Sequence, residues 1–109
     1  MVIVNGLKAC DTCRKALRAL SDAGQEAQLR DFRDVPPQQA EIARWFAQLG
    51  DAMVNRRSTT WRNLSEEERA GEPVALMLAQ PTLIKRPVIE IGDTVHSGWT
   101  AQTKAALGL

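Results

Sequence analysis

Two cysteines three residues apart, Cys10 and Cys13, are the side chains of this sequence best suited to chemistry. They are its only cysteines, and at this spacing one thiolate can attack a disulfide while its neighbour releases the mixed disulfide that forms. Half of a zinc site is a weaker interpretation, because the sequence has no second cysteine pair and a single histidine. Two inert buried cysteines are another alternative. The pair therefore favours redox chemistry and no metal.

The predicted position of the pair explains why Cys10 is the expected nucleophile. An amphipathic pattern over residues 11–23 predicts a helix that starts directly after Cys10. Unpaired N–H groups and the helix dipole would lower the thiol pKa from its free value of about 8.5. Arg14 and Lys15 are expected to add positive charge. Cys13, buried one turn further in, is expected to keep a high pKa and to resolve the mixed disulfide.

The elements around the pair begin in strand–helix–strand order. Residues 2–4 are β-branched and predict a buried strand, and alternation over residues 27–32 predicts a second strand in parallel with it. Asp34 and the two prolines that follow it predict the entrance of another helix. Its apolar stripe ends at Gly50 and consists of Ile42, Trp45, Phe46 and Leu49.

The second half of the chain predicts a polar loop, short helices and a hairpin. Residues 51–64 are polar and irregular, and short helices are expected after Ser65, which starts a Ser-x-x-Glu capping box, and after Pro73. Residues 88–96 predict a hairpin, and residues 99–107 a closing helix. The fold class is therefore α/β, a thioredoxin-like four-stranded mixed sheet with flanking helices and a helical insert.

Length and composition predict one small domain. The 109 residues are expected to form a single domain over 1–109, and we expect a monomer. Fourteen basic and thirteen acidic side chains leave a formal charge of +1, which argues against nucleic acid and anionic membranes as partners. The chain shows no leader pattern or membrane-length apolar stretch, so a cytoplasmic location is expected.

Three arginines are candidates for binding anions. Arg86 precedes Pro87 and the third predicted strand, while Arg56 and Arg57 lie in the polar loop. Guanidinium groups bind oxyanions and carboxylates through two parallel hydrogen bonds, although an isolated arginine is usually a solvated surface group. Pro87 by itself predicts no more than an ordinary entrance to a strand.

Three stretches of the sequence together resemble the ArsC family. They are residues 5–16 around the cysteines, residues 55–62 of the polar loop and residues 81–88, which include the string Leu-Ile-Lys-Arg-Pro-Val. The likeness runs in the same order over nearly the whole chain and is strongest to the YffB branch. It implies a thioredoxin fold with a helical insert. The family includes glutaredoxin-dependent arsenate reductases, YffB proteins regarded as glutathione-dependent thiol reductases, and Spx regulators that bind RNA polymerase.

The resemblance also implies roles for residues. Cys10 matches the family's nucleophile, Arg86 matches its oxyanion-contacting arginine before a cis-proline at Pro87, and Arg56 or Arg57 matches the arginine of the middle loop. We expect Thr12, Arg14 and Pro87 to contact substrate as well. Arsenate reductases carry another arginine after the final hairpin, and residues 94–99 contain none.

The expected function is glutathione-dependent reduction of a thiol or disulfide substrate by Cys10, with Cys13 as the resolving thiol. Glutathione is the expected co-substrate, glutaredoxin is a further partner that the resemblance implies, and no bound cofactor is expected. Two alternatives stay open. One is arsenate reduction with glutaredoxin, and the other is an Spx-like regulator in which a disulfide between the two cysteines controls binding to RNA polymerase.

Overall fold

The computed structural model describes all of residues 1–109. It contains four strands and six α-helices, in the order β1 (Val2–Gly6), α1 (Asp11–Asp22), β2 (Ala27–Asp31), α2 (Gln39–Leu49), α3 (Thr59–Arg62), α4 (Glu66–Arg69), α5 (Pro73–Ala79), β3 (Val88–Ile91), β4 (Thr94–Ser97) and α6 (Ala101–Ala106). Two 3-10 turns lie at Gly50–Met53 and Pro81–Leu83. None of these helices has both the length and the apolar character that crossing a bilayer requires.

The chain forms two compact units, which are described separately. Residues 1–35 and 86–109 form the sheet unit, and residues 36–85 form the insert. The expectation of a single domain over 1–109 stays a prediction.

The sheet unit contains all four strands, in the order β2-β1-β3-β4. β1 and β2 are parallel, whereas β1 with β3 and β3 with β4 are antiparallel. Gly92 makes the tight turn between β3 and β4 with a φ of 57°, a conformation that glycine adopts without a steric penalty. The predicted mixed sheet with flanking helices, a thioredoxin-like fold, is confirmed.

The core of the sheet unit lies between the sheet and α1. Val2, Val4 and Ile89 pack in one buried cluster that also contains Cys13, Ala16, Leu20 and Leu107. Val2 and Val4 share a sheet face because strand side chains alternate, and the three α1 residues follow one another at helical spacing. The face of α1 that anchors the helix to the sheet therefore carries Cys13.

The insert has its own buried side chains on α2 and α5. Ile42 and Trp45 of α2 are buried, as predicted, and α5 buries Val74 and Met77. The capping box at Ser65 is confirmed, since the Ser65 Oγ accepts from the Glu68 N–H at 3.1 Å.

The prediction of an irregular loop over residues 51–64 is wrong at both ends. The segment opens in a 3-10 turn that buries Met53, and it ends in α3. Val54 is also buried and forms an isolated bridge with Ile84. The Ser58 Oγ accepts from the Trp61 N–H at 3.1 Å, so a single cap supports a helix too short for periodicity to reveal.

Two helices begin later than predicted. The cap of α2 is Gln38 rather than Asp34, because the Glu41 carboxylate accepts from the Gln38 N–H at 3.1 Å. Asp34 instead pairs with Lys8 at 3.0 Å. α6 begins after Thr100 rather than at residue 99, because the Thr100 Oγ1 accepts from the Thr103 N–H.

Candidate active site

Cys10 lies in the turn between β1 and α1 and is the N-cap of α1. Its N–H donates to the Leu7 carbonyl at 3.1 Å, which closes the turn. Its Sγ accepts from the Cys13 N–H at 3.4 Å. An N-cap side chain normally satisfies a free helix N–H through oxygen, and here a sulfur has that place. The predicted position of Cys10 at the start of a helix is therefore confirmed.

The pKa of Cys10 lies below its ordinary value. Partial burial raises it, but hydrogen bonds from the Cys13 thiol and the Cys13 N–H, together with the hydrogen bond and charge of Arg86, outweigh the burial. All of these donors favour the ionised sulfur. The predicted help from Arg14 and Lys15 is replaced by that of Arg86. Arg14 is exposed and pairs with Asp11, so its charge is compensated in solvent.

Cys13 has the opposite character. Its side chain is fully buried, and burial raises its pKa to about 12, against a lowering contribution from the Leu7 backbone. The neighbouring Cys10 raises it further through a hydrogen bond and charge, while Arg86 lowers it. Both cysteines are free thiols. The structure thus places the Cys10 sulfur, whose pKa is lowered, beside the Cys13 sulfur, whose raised pKa keeps it protonated.

Arg86 and Pro87 lie immediately before β3. The peptide bond between them is cis, as the resemblance implies, and Pro87 is fully buried. The Arg86 side chain lies close enough to Cys10 to lower the pKa of that thiol, and its Nε is buried without a hydrogen-bond partner in the protein.

Three further residues, Asp31, Gly6 and Asn5, hold the β1–α1 turn and β3 in place, and the sequence analysis did not identify them as part of the site. Asp31, at the end of β2, is buried, and its carboxylate accepts from the Lys8 N–H at 2.9 Å and from the Arg33 N–H at 2.7 Å. These hydrogen bonds hold the pKa of Asp31 below its usual value. The carboxyl ends of parallel strands share one edge of a sheet, so an aspartate ending β2 was a usable signal.

Gly6 and Asn5 are the other two. A Cβ at Gly6 would collide with the Cys13 Sγ and would lie 3.8 Å from the Arg86 Cβ, so the absence of a side chain lets β1 approach both. Asn5 is buried, and its Nδ2 donates to the Val88 carbonyl at 3.0 Å. Arg30 donates to the Asn5 Oδ1 at 3.0 Å. Asn5 therefore fixes the start of β3 just beyond Pro87.

Thr12 and Arg14, the other predicted contacts in the sheet unit, are exposed on the first turn of α1. They are close to Cys10 in sequence and open to solvent. Within the sheet unit the structure thus gathers Cys10, Cys13 and Arg86, with Thr12 and Arg14 at the adjoining surface. No group of three or more His, Cys, Asp or Glu side chains is placed to hold a metal ion.

Arg56 and Arg57 belong to the insert. The Arg56 guanidinium lies 3.4 Å from the Asp51 carboxylate and 5.2 Å from the centre of the Trp61 ring. Arg57, in contrast, has an exposed side chain without a hydrogen-bond, ion-pair or ring partner. Their predicted role in binding substrate stays a prediction.

Known proteins resemble this chain over nearly its whole length. An uncharacterized protein of Haemophilus influenzae is 40% identical over 94 residues, which cover 82% of each chain. A solved structure named YffB protein has 35% identity and a TM-score of 0.89, with 97% of each chain covered. An arsenate reductase (ArsC) related protein from Brucella melitensis has 33% identity and a TM-score of 0.77, with 99% of this chain and 95% of that chain covered.

A family model gives the same result. The model of the ArsC family matches residues 6–106, which include the cysteine pair, the insert and the segment before β3. With most of the sequence matched, and with relatives above 30% identity over most of their length, the chain belongs to the ArsC family.

Proposed function

We propose that this chain is a thiol-disulfide oxidoreductase in which the Cys10 thiolate attacks a disulfide or a glutathione mixed disulfide and glutathione supplies the electrons. Family membership supports the coarser class, an oxidoreductase that works through a thiol. One observation supports the nucleophile: the Cys10 sulfur caps α1 and accepts a hydrogen bond from the Cys13 N–H at 3.4 Å. The neighbouring Cys13 thiol and Arg86 also lower the Cys10 pKa, which favours the ionised sulfur over the thiol.

The first step forms a bond between Cys10 and the substrate. The thiolate attacks one sulfur of the substrate disulfide, a new disulfide forms, and the other half of the substrate leaves as a thiolate that takes a proton from solvent. Oxidation of the Cys10 sulfur balances the reduction of the leaving sulfur. The attack requires a thiolate that is reachable, and Cys10, unlike Cys13, is partly exposed.

The second step releases the other half of the substrate. Once Cys10 is in a mixed disulfide it carries no negative charge, so its contribution to the high pKa of Cys13 is lost. Cys13 can then give its proton to solvent and attack Cys10, which leaves a disulfide between the two cysteines. Two glutathione molecules reduce this disulfide and leave as glutathione disulfide. Alternatively, when the mixed disulfide joins Cys10 to glutathione, a second glutathione thiolate attacks the glutathione sulfur. The bond to Cys10 breaks, glutathione disulfide leaves, and the Cys10 thiolate is regenerated.

Arg86 is the proposed contact for a carboxylate of the substrate. The charge of its guanidinium lowers the pKa of Cys10, and a guanidinium near the reacting sulfur can also pair with a carboxylate of a substrate bound there. Glutathione carries two carboxylates. Glutaredoxin as a further protein partner and a cytoplasmic location are also parts of this proposal.

Arsenate reduction is the second candidate. The related structure from Brucella melitensis carries arsenate reductase in its name, and an arginine beside a thiolate also suits an oxyanion. Residues 94–99 lack the further arginine that the resemblance associates with arsenate, which favours the disulfide substrate.

Replacing the nucleophile tests the proposal. Glutathione-coupled reduction of a small mixed disulfide is measured for the wild type and for Cys10→Ser, with a parallel assay that supplies arsenate, glutathione and glutaredoxin. We expect Cys10→Ser to lose turnover and Cys13→Ser to keep part of it. Full turnover by Cys10→Ser would disprove the role of Cys10. Turnover with arsenate and none with disulfides would select the second candidate.

A further inference from the structure

A shallow cleft on the outer face of α1 begins at the residue that follows Cys10. Its volume is about 230 Å³, and its lining consists of Asp11, Arg14, Lys15 and Arg18. All four side chains are exposed. Residues 11, 14, 15 and 18 fall on one side of a helix because they are three, four and seven positions apart. We refer to this surface as the α1 cleft.

The α1 cleft carries positive charge that the chain itself does not neutralise. Arg14 pairs with Asp11, and both side chains are mostly exposed, at 60% and 77%. The side chains of Lys15 and Arg18 have no hydrogen-bond, ion-pair or ring partner in the structure. The whole chain has a formal charge of only +1, so these two cations are a local excess rather than part of a general basic surface. Such a cleft is complementary to carboxylates.

The distance from Cys10 to the far end of the α1 cleft determines how far from its reactive cysteine a substrate would carry those carboxylates. Arg18 follows Cys10 by eight residues, which is about 12 Å along a helix at 1.5 Å per residue. An extended peptide spans that distance in about three to four residues, at 3.3 to 3.6 Å per residue. Acidic side chains at that separation from a substrate cysteine would reach Lys15 and Arg18 while the cysteine sulfur is at Cys10.

We propose that the α1 cleft docks an acidic segment that flanks the reactive cysteine of a protein disulfide substrate. The inference rests on the proposed attack by Cys10 and extends it from a reaction to a substrate class. A protein segment fits better than a tripeptide, because the cations extend two helical turns beyond the reacting sulfur. Exposed cations act mainly on the rate of association, and salt screens their effect.

The test compares two peptides that differ only in charge. Each contains one cysteine as a mixed disulfide with neutral 2-thiopyridine, and each has either two glutamates or two glutamines three and four residues from the cysteine. Release of the thiopyridine follows the attack by Cys10. At low salt we expect the wild type to react about 3 to 10 times faster with the acidic peptide, and this ratio should approach one at high salt.

Substitutions in the α1 cleft test whether the cleft causes the faster reaction with the acidic peptide. Lys15→Gln with Arg18→Gln should bring the ratio of acidic to neutral rates to about one at low salt. Arg62→Gln with Lys104→Gln makes the same change of charge outside the cleft and should keep the wild-type ratio. Lys15→Glu with Arg18→Glu should reverse the preference toward a peptide with two lysines. Circular dichroism and the rate with neutral iodoacetamide check that fold and thiolate are intact.

The outcomes separate the two proposals. Equal rates with acidic and neutral peptides, or an unchanged ratio in the Lys15→Gln and Arg18→Gln variant, would overturn the docking proposal while leaving the reactive Cys10 in place. If the Lys15→Gln and Arg18→Gln variant lost as much rate with glutathione disulfide as with the acidic peptide, the assignment to a protein segment would be overturned. Thiopyridine release that survives Cys10→Ser unchanged would instead disprove the proposed function itself.

Discussion

Cys10 and Cys13, joined by a hydrogen bond from the Cys13 N–H to the Cys10 Sγ, move each other's thiol pKa in opposite directions. Partial burial opposes ionisation of Cys10, but the Cys13 thiol and N–H, with Arg86, bring its pKa below the ordinary value. Burial of Cys13, strengthened by the neighbouring Cys10, raises the Cys13 pKa to about 12. Since each sulfur depends on the protonation of the other, replacing one should shift the titration of its partner.

Cys13→Ala should raise the pKa of Cys10. The substitution removes the thiol hydrogen bond but leaves the N–H of residue 13 as a donor to the sulfur. The pH profile of alkylation by iodoacetamide should therefore move to higher pH, with a slower rate at neutral pH. Cys13→Ser keeps a hydroxyl donor and should shift the profile less. An unchanged profile in Cys13→Ala would show that the shared bond does not ionise Cys10.

Cys10→Ser should lower the pKa of Cys13 from about 12, since a serine hydroxyl carries no negative charge in place of the Cys10 thiolate. Burial remains, so the value should stay above that of a free thiol, about 8.5. Ultraviolet absorbance of the thiolate during a pH titration measures this directly. A Cys13 that titrates no lower in Cys10→Ser than in the wild type would refute the coupling that the second chemical step requires.

Arg86→Gln should raise the pKa of both cysteines. Arg86 lowers the pKa of Cys10 through a hydrogen bond and charge, and it lowers that of Cys13 through charge. The thiolate fraction of Cys10 at neutral pH should fall, and kcat/KM for glutathione mixed disulfides should fall further because the proposed carboxylate contact is lost as well. Arg86→Lys keeps the charge and should recover most of the pKa shift. Wild-type kinetics in Arg86→Gln would exclude it from the site.

Gly6→Ala should destabilise the fold by about 1 to 3 kcal/mol, the usual cost of inserting a methyl group into a packed interior. The added Cβ would collide with the Cys13 Sγ. Urea unfolding of a double-mutant cycle tests the cause, because the same substitution should cost much less when residue 13 is alanine. If Gly6→Ala cost the same free energy of unfolding with cysteine or alanine at residue 13, the strain would not come from the Cys13 Sγ.

Asp31→Ala should loosen the turn before Cys10, because the carboxylate accepts from the Lys8 and Arg33 N–H groups. We expect a lower urea midpoint and a slower Cys10 alkylation, with Asp31→Asn in between since its amide keeps one acceptor oxygen. The folded-state pKa of Asp31 is depressed, so its stabilisation is present above the unfolded value near about 3.9 and is lost as the pH falls through the folded value. A stability difference between wild type and Asp31→Ala that persists at lower pH would contradict this account.

Much of the fold was predictable because its signals are local. The β-branched run that became β1, the capping box at Ser65 and the turn at Gly92 each depend on a few neighbouring residues. Cys10 at the start of α1 follows from the same kind of pattern. Helix α3 was not predicted, because it has only four residues and a single capping side chain and is too short to show helical periodicity.

The surroundings of the sulfur were less predictable, since they depend on contacts between residues far apart in the chain. Arg86 reaches Cys10 because β3 pairs with β1, and this replaced the local cations Arg14 and Lys15 as the source of positive charge. Gly6 and Asp31 matter through approaches made only after the strands are in register. Sequence spacing predicts which cysteine is the nucleophile, whereas tertiary contacts determine the pKa of its thiol.

The pH dependence of Cys10 alkylation in the wild-type protein tests the central claim most directly. Iodoacetamide is neutral, so its rate follows the thiolate fraction, and mass spectrometry confirms which cysteine has reacted. We predict a titration midpoint below the value of about 8.5 for a free thiol, with Cys13 unmodified over the same range. A midpoint at or above that value, or faster modification of Cys13 than of Cys10, would contradict the account.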